Sequence, residues 1–184
     1  MAFLNLISVQ QLTKAAVAFS VGFFCLLVGY DNIVDFNTNY EFVNAVLSMD
    51  QMEPFFSGNQ VMLARAITNP EIHLVAYWLI ISGELITGAV CMIGALTMLF
   101  SINKSRFVKG QVIYLVGATF AILLWYLGFA VIGGEYFSMW ANKMNGQSKA
   151  YTFATFILLT AIYIALPYLR LDNSSEPSKN SLNK

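Results

Sequence analysis

Charge is scarce in this sequence. Ten basic and ten acidic residues make up 11% of its 184 positions, where soluble domains carry about 25%. An ordinary water-facing surface cannot be assembled from so few. The charges sum to zero and form no basic block, which excludes a protein that neutralises a run of phosphates, so no nucleic-acid partner is expected. Histidine occurs once, at His73, and cysteine twice. Cys25 and Cys91 both lie in apolar stretches without C-x-x-C or metal-type spacing, which points to packing rather than redox or metal chemistry. No metal is expected, and no cofactor is identified. The patterns G-x-S-x-G, H-E-x-x-H, Walker A and G-x-G-x-x-G do not occur, so standard enzyme chemistry has no foothold.

What the chain has instead is hydrocarbon. Hydrophobic residues make up 58% of it and the mean hydropathy is +0.63. Four apolar runs, each long enough for the roughly 20 residues a membrane-crossing helix needs, fall at about 13–30, 72–100, 108–133 and 149–169. The expected fold is all-α: a single domain over 1–170 forming a four-helix transmembrane bundle, with a helical outer loop at 31–71 between the first two spans and a disordered tail at 171–184. Residues 2–12 suggest a short helix lying along the membrane surface. Within the outer loop, Thr38 and Glu41 have capping-box spacing, and the apolar positions after them predict a helix over about Tyr40–Met52. A second is expected over about Asn59–Thr68. Asn69-Pro70-Glu71 reads as the start of the second span.

Orientation follows from the basic residues, which resist translocation more than acids do. Lys14, Lys104, Arg106, Lys109, Arg170, Lys179 and Lys184 fall on one side, against Arg65, Lys143 and Lys149 on the other. Both termini are therefore expected in the cytoplasm. No internal repeat of the kind found in many transporters is present.

Glu84 is the leading candidate for function. It lies 11 residues beyond His73, about 16 Å along a helix and so near mid-bilayer. An ionised carboxylate in hydrocarbon costs several kcal/mol, so Glu84 must be protonated, paired or open to water. Two roles remain open: a hydrogen bond that holds the bundle together, or a proton or ligand site. On the outer face, Asp31, Asp35, Asp50, Arg65, His73 and Glu135 are further candidates. Arg65 is the lone basic residue of an acidic loop, and a structural ion pair with Asp31, Asp35, Asp50 or Glu135 is expected. Asp31, Asn32, Asp35, Asn37 and Asn39 are rich in oxygen but lack EF-hand spacing, which favours turn and cap duties.

Several segments carry a resemblance in the same order: Asp31-Asn32-Ile33-Val34-Asp35-Phe36, Asn39 to Val43, Val46 to Asp50, Arg65-Ala66-Ile67, Glu84, Gly134-Glu135-Tyr136-Phe137 with Met139-Trp140, and Asn145-Gly146-Gln147. Over about residues 10–170 the chain resembles a bacterial family of predicted small integral membrane proteins, a domain of unknown function. The resemblance implies a four-helix protein of the bacterial inner membrane with a structured outer loop, and it supplies no reaction or ligand. With no catalytic motif, the expected role is a non-catalytic accessory or scaffolding subunit in the bilayer, partnered by another membrane protein or by further copies of itself. The alternative is a proton-coupled carrier, or a lipid- or quinone-binding protein, that uses Glu84.

Overall fold

The computed structural model describes residues 5–56 and 58–167. In chain order it contains α1 (Leu6–Val34), α2 (Phe36–Ser48), a single turn α3 (Gln60–Leu63), α4 (Pro70–Leu99), α5 (Arg106–Ile122), a π-helical continuation of α5 (Leu123–Tyr136), and α6 (Gln147–Ala165). Four of these stretches are long and apolar enough to cross a bilayer: α1, α4, α5 with its π segment, and α6. The fold is all-α with a four-helix bundle. The shortest, α6, has 19 residues and spans about 28 Å, close to the hydrocarbon thickness of about 30 Å.

α4 packs against both α1 and α5, and glycines set how closely. A Cβ on Gly22 of α1 would stand 2.8 Å from the Met92 amide nitrogen, and one on Gly94 would stand 2.5 Å from that of Tyr114. Backbone therefore meets backbone, the means by which membrane helices gain dispersion contact when lipid offers no hydrophobic drive.

The two ends of the bundle differ. At one end, α4 and α5 are joined by a tight turn in which Asn103 adopts a positive φ of 61°. Here the expectation of a surface helix over 2–12 is corrected. Residues 6–12 belong to α1, which Asn5 caps by accepting from the Ser8 amide at 2.8 Å; residues 1–4 lie outside the described ones. Two polar groups of the segment meet the turn. Ser8 Oγ donates to Asn103 Oδ1 at 3.1 Å, and Gln11 Oε1 accepts from the Asn103 amide at 2.7 Å.

Lys14, counted above as a basic marker of this end, is 3% exposed. Its Nζ donates to the carbonyls of Ile164, at 3.0 Å, and Leu166. Gln111 Nε2 donates to the same Ile164 oxygen at 2.6 Å. A cation thus closes the C-terminus of α6, where carbonyls lack helical partners and the dipole favours positive charge. The helix ends at Ala165 rather than near 169 because Leu166 precedes Pro167 and turns extended, with ψ 140°. The tail expected at 171–184 lies outside the described residues. Lys14→Met leaves those carbonyls short of a donor, and the expected result is a loss of about 1–3 kcal/mol, read as a lower thermal midpoint in detergent.

The other end carries the loops. α2 begins at Phe36, one residue after α1, so Thr38 lies inside the helix and the capping box is not used. Asp35 breaks the helix at φ −103°, ψ 53° while its amide completes α1 on the Asp31 carbonyl at 2.8 Å. The second expected loop helix shrinks to α3. Around it the backbone is drawn into tertiary bonds: the Ile67 amide donates to the Leu47 carbonyl at 2.9 Å, and His73 Nε2 lies 2.6 Å from the Ile67 carbonyl. Buried Asn142 joins this loop to the one before α6. Its Nδ2 donates to the Ala45 carbonyl at 2.8 Å, and its Oδ1 accepts from the Met144 amide, also at 2.8 Å. Val46, Met49, Met52, Phe56, Phe137 and Met139 form a small apolar core beneath.

Candidate functional site

Glu84 lies 14 residues into α4, counting from Pro70, about 21 Å along the helix. It is 1% exposed. Oε2 accepts from Asn32 Nδ2 at 2.7 Å, and the backbone carbonyl of the same Asn32 accepts from the Tyr77 hydroxyl at 2.7 Å. Two residues near the loop end of α1 and on α4 thus hold one another and fix the carboxyl. Its second oxygen, Oε1, is buried without a hydrogen-bond partner. No lysine or arginine among the described residues pairs with it, so a carboxylate here has one amide to offset its desolvation.

A cavity of about 510 Å³ adjoins this carboxyl. Asp31, Asn32, Tyr77 and Glu84 line one side, α2 contributes Asn39 and Phe42, and Trp125, Phe129 and Phe153 form an aromatic wall. Trp125 lies 5.1 Å from both Phe129 and Phe153, ring centre to ring centre, stacked on the first and edge-on to the second. Exposed Lys143 and Asn145 of the loop before α6 and exposed Lys149 in its first turn also line the cavity. The cavity is therefore amphipathic, with a buried carboxyl and an aromatic wall within and charges of both signs among its lining.

The wall that carries Trp125 and Phe129 is the π segment. Its wider register is supported from α6: Gln147 Nε2 donates to the Ala130 carbonyl at 3.2 Å and to Glu135 Oε1 at 2.9 Å. Gly134 makes room for that side chain, since a Cβ there would overlap it. π-helical turns are uncommon and concentrate at functional sites.

Of the residues singled out in the sequence, Asp31 and Glu84 line this cavity, whereas Asp35, Asp50, Arg65, His73 and Glu135 do not. Asp35 is the break between α1 and α2, Asp50 is exposed in a turn, and Glu135 holds Gln147. His73, 2% exposed, fixes the loop to the top of α4. The ion pair expected of Arg65 gives way to other contacts. Its guanidinium lies 5.5 Å from the Tyr136 ring centre, and it donates to the Met62 carbonyl at 3.4 Å and to the Met62 sulfur. The acids of the loop stay at the surface, where water solvates them, and the arginine finds an aromatic face. Among the described residues, no group of three or more His, Cys, Asp or Glu is placed to hold a metal ion.

Asn32, Tyr77, Lys143, Lys149 and Gln147 belong to the site or its support and were not singled out for it. A signal existed for Asn32, one residue from Asp31 in the oxygen-rich segment. Gln147 stands in the Asn145-Gly146-Gln147 segment of the family resemblance, but nothing in that segment points to its bonds with Ala130 and Glu135.

The profile of the family described as "Predicted small integral membrane protein (DUF2165)" matches residues 10–167. No curated protein and no solved structure matches the chain.

Proposed function

Because the chain belongs to the predicted small integral membrane protein family, its buried carboxyl works inside a bilayer, and we propose that it binds a small protonated amine at Glu84. The observation that carries this is the unpartnered Oε1 beside the cavity. In hydrocarbon that oxygen is stabilised by a proton or by a cation, and among the described residues no lysine or arginine pairs with it, Lys143 and Lys149 of the cavity lining being exposed. The aromatic wall suits an ammonium group, which is attracted to ring faces. Glu84 holds a proton in the empty site, and an ammonium ion takes its place. The carboxyl gives its proton to water in the cavity, and the carboxylate pairs with the bound cation, so charge in the site is conserved. This exchange is the chemical step a proton-coupled carrier requires.

The test uses benzylamine and its neutral analogue benzyl alcohol, titrated against Trp125 fluorescence with Trp78 and Trp140 replaced by Phe. Benzylammonium is expected to bind about 30-fold tighter or more, as a buried charge pair of about 2 kcal/mol or more implies. Equal binding of the two would remove the amine reading.

An accessory subunit is favoured by a different surface. Phe55 is 74% exposed and Val61 82%, and Phe55 stacks on half-exposed Trp140 with ring centres 6.3 Å apart. A partner seated there predicts co-purification at fixed stoichiometry in mild detergent. Recovery of free protein with an occupied Glu84 site would favour the amine.

The basic residues Lys104, Arg106 and Lys109 at the tight-turn end support placing that end in the cytoplasm of a bacterial inner membrane, with both termini on the same side. Gly58→Cys, at an open position in the loops, should then react in intact cells with a membrane-impermeant maleimide. Lys104→Cys should not, and the opposite pattern would invert the orientation. Cys25 and Cys91 are buried and should give little background.

A further inference from the structure

Three cavities follow one another in this bundle. The one at Glu84 shares Phe42, Val43, Ile80 and Phe129 with an apolar slot of about 130 Å³ that runs beneath α2, between α4 and the π segment. The slot in turn shares Leu124, Gly128 and Ile132 with a groove of about 430 Å³. That groove is also lined by exposed Ile86, Leu123 and Leu127, on a surface that faces lipid in a bilayer-spanning bundle.

The glycines along this path differ from those in the helix contacts. A Cβ on Gly22, Gly94 or Gly110 would come within 3.0 Å of neighbouring backbone. At Gly83, Gly128 and Gly133, which border the slot and the groove, the nearest atom would be 3.5, 3.8 and 3.5 Å away. Those three are not required by packing. They border an apolar slot and a lipid-facing groove that share lining residues, and the slot shares others with the cavity at the buried carboxyl.

We propose that the slot is a hydrocarbon subsite: the amine at Glu84 is the head of a single-chain amphiphile, whose chain lies between α4 and the π segment and enters sideways from the bilayer. The proposal rests on the amine reading and adds the chain. The volume of the slot, about 130 Å³, commits it to one chain, and the lipid-facing groove supplies the route. The head is placed by Glu84 and the aromatic wall, and the chain by Phe42, Ile80, Leu124 and the space that Gly128 and Gly133 leave open.

The probes are butylamine and dodecylamine, titrated into the protein in phosphatidylcholine nanodiscs. Burial of methylenes is worth roughly fourfold in affinity for each one, so dodecylammonium should bind at least about 100-fold tighter than butylammonium. Part of that advantage is partition into the bilayer, which a substitution in the protein does not change. Gly128→Leu should therefore reduce the ratio about tenfold or more, by filling the slot where a few methylenes lie. An unchanged ratio with butylammonium still bound would overturn the chain subsite and leave the amine reading intact. If neither amine binds the wild-type protein, the amine reading fails and the subsite with it. Displacement of dodecylamine by added phosphatidylethanolamine would overturn the single-chain assignment. Should Gly128→Leu fail to fold, a wild-type structure with 6-bromododecylamine decides: bromine between Phe42 and Leu124 supports the proposal, and bromine elsewhere overturns it.

Discussion

Glu84→Gln is expected to lower the affinity for benzylammonium by about 30-fold or more while leaving the bundle at least as stable as the wild type. The two effects have one origin. Glu84 is 1% exposed, and Asn32 is its one hydrogen-bond partner among the described residues. Oε1 is buried without a partner, which costs about 1–3 kcal/mol, and a bound ammonium ion would offset that cost. The amide of Gln preserves the acceptor that Asn32 Nδ2 uses and removes the charge an amine would pair with. Thermal unfolding in detergent and the fluorescence titration read the two effects separately. A variant that unfolds more easily and binds the amine unchanged would show Glu84 to be a packing residue.

The largest loss of stability is expected at Gly94, not at Glu84. Gly94→Val should cost about 3 kcal/mol or more, at the upper end of what overpacking costs. A Cβ there meets the Tyr114 amide nitrogen at 2.5 Å, its Cα at 2.8 Å and the Gly110 carbonyl oxygen at 2.9 Å. All three are backbone atoms, which cannot turn aside as a side chain can, so α4 and α5 must separate and lose their contact. Gly83→Ala, only 11 residues earlier on the same helix, should be neutral or stabilising. Its nearest neighbour would be the flexible tip of Leu124 at 3.5 Å, and alanine holds a helix better than glycine by roughly 0.5–1 kcal/mol. Chemical or thermal unfolding of both variants checks the contrast. Equal losses at the two positions would show that glycine matters here for helix flexibility rather than for close approach.

Glu84 and Gly94 differ in how far the sequence alone reveals them. Glu84 stands out because a carboxylate in an apolar run is costly wherever the helix packs, so one residue and one number suffice. The four helices are legible for the same reason: each run must hide its backbone from lipid within itself. Gly94 and Gly83 look alike in the sequence, and only the neighbouring helix separates a required glycine from a spared one. Both expected loop helices occur with other bounds, Phe36–Ser48 and Gln60–Leu63, because local signals lose to distant ones. Thr38 and Glu41 have the right spacing, but α2 is already under way at Phe36. The turn after α3 gives up its helical ladder for bonds to Leu47 and His73. The π segment was invisible, since Leu123–Tyr136 is as apolar as any α-helical span, and its support comes from Gln147 on another helix. The cavity draws on residues from Val28 to Phe153, and its polar lining includes Asn32, Tyr77 and Lys149, whose proximity no spacing encodes.

The most direct test of the account counts protons. Calorimetric titration of benzylammonium into the wild-type protein, repeated in two buffers of different ionisation enthalpy, gives the number of protons released per amine bound. The exchange at Glu84 predicts release that disappears in Glu84→Gln. Binding with no proton released, or with the same release in the variant, would contradict it.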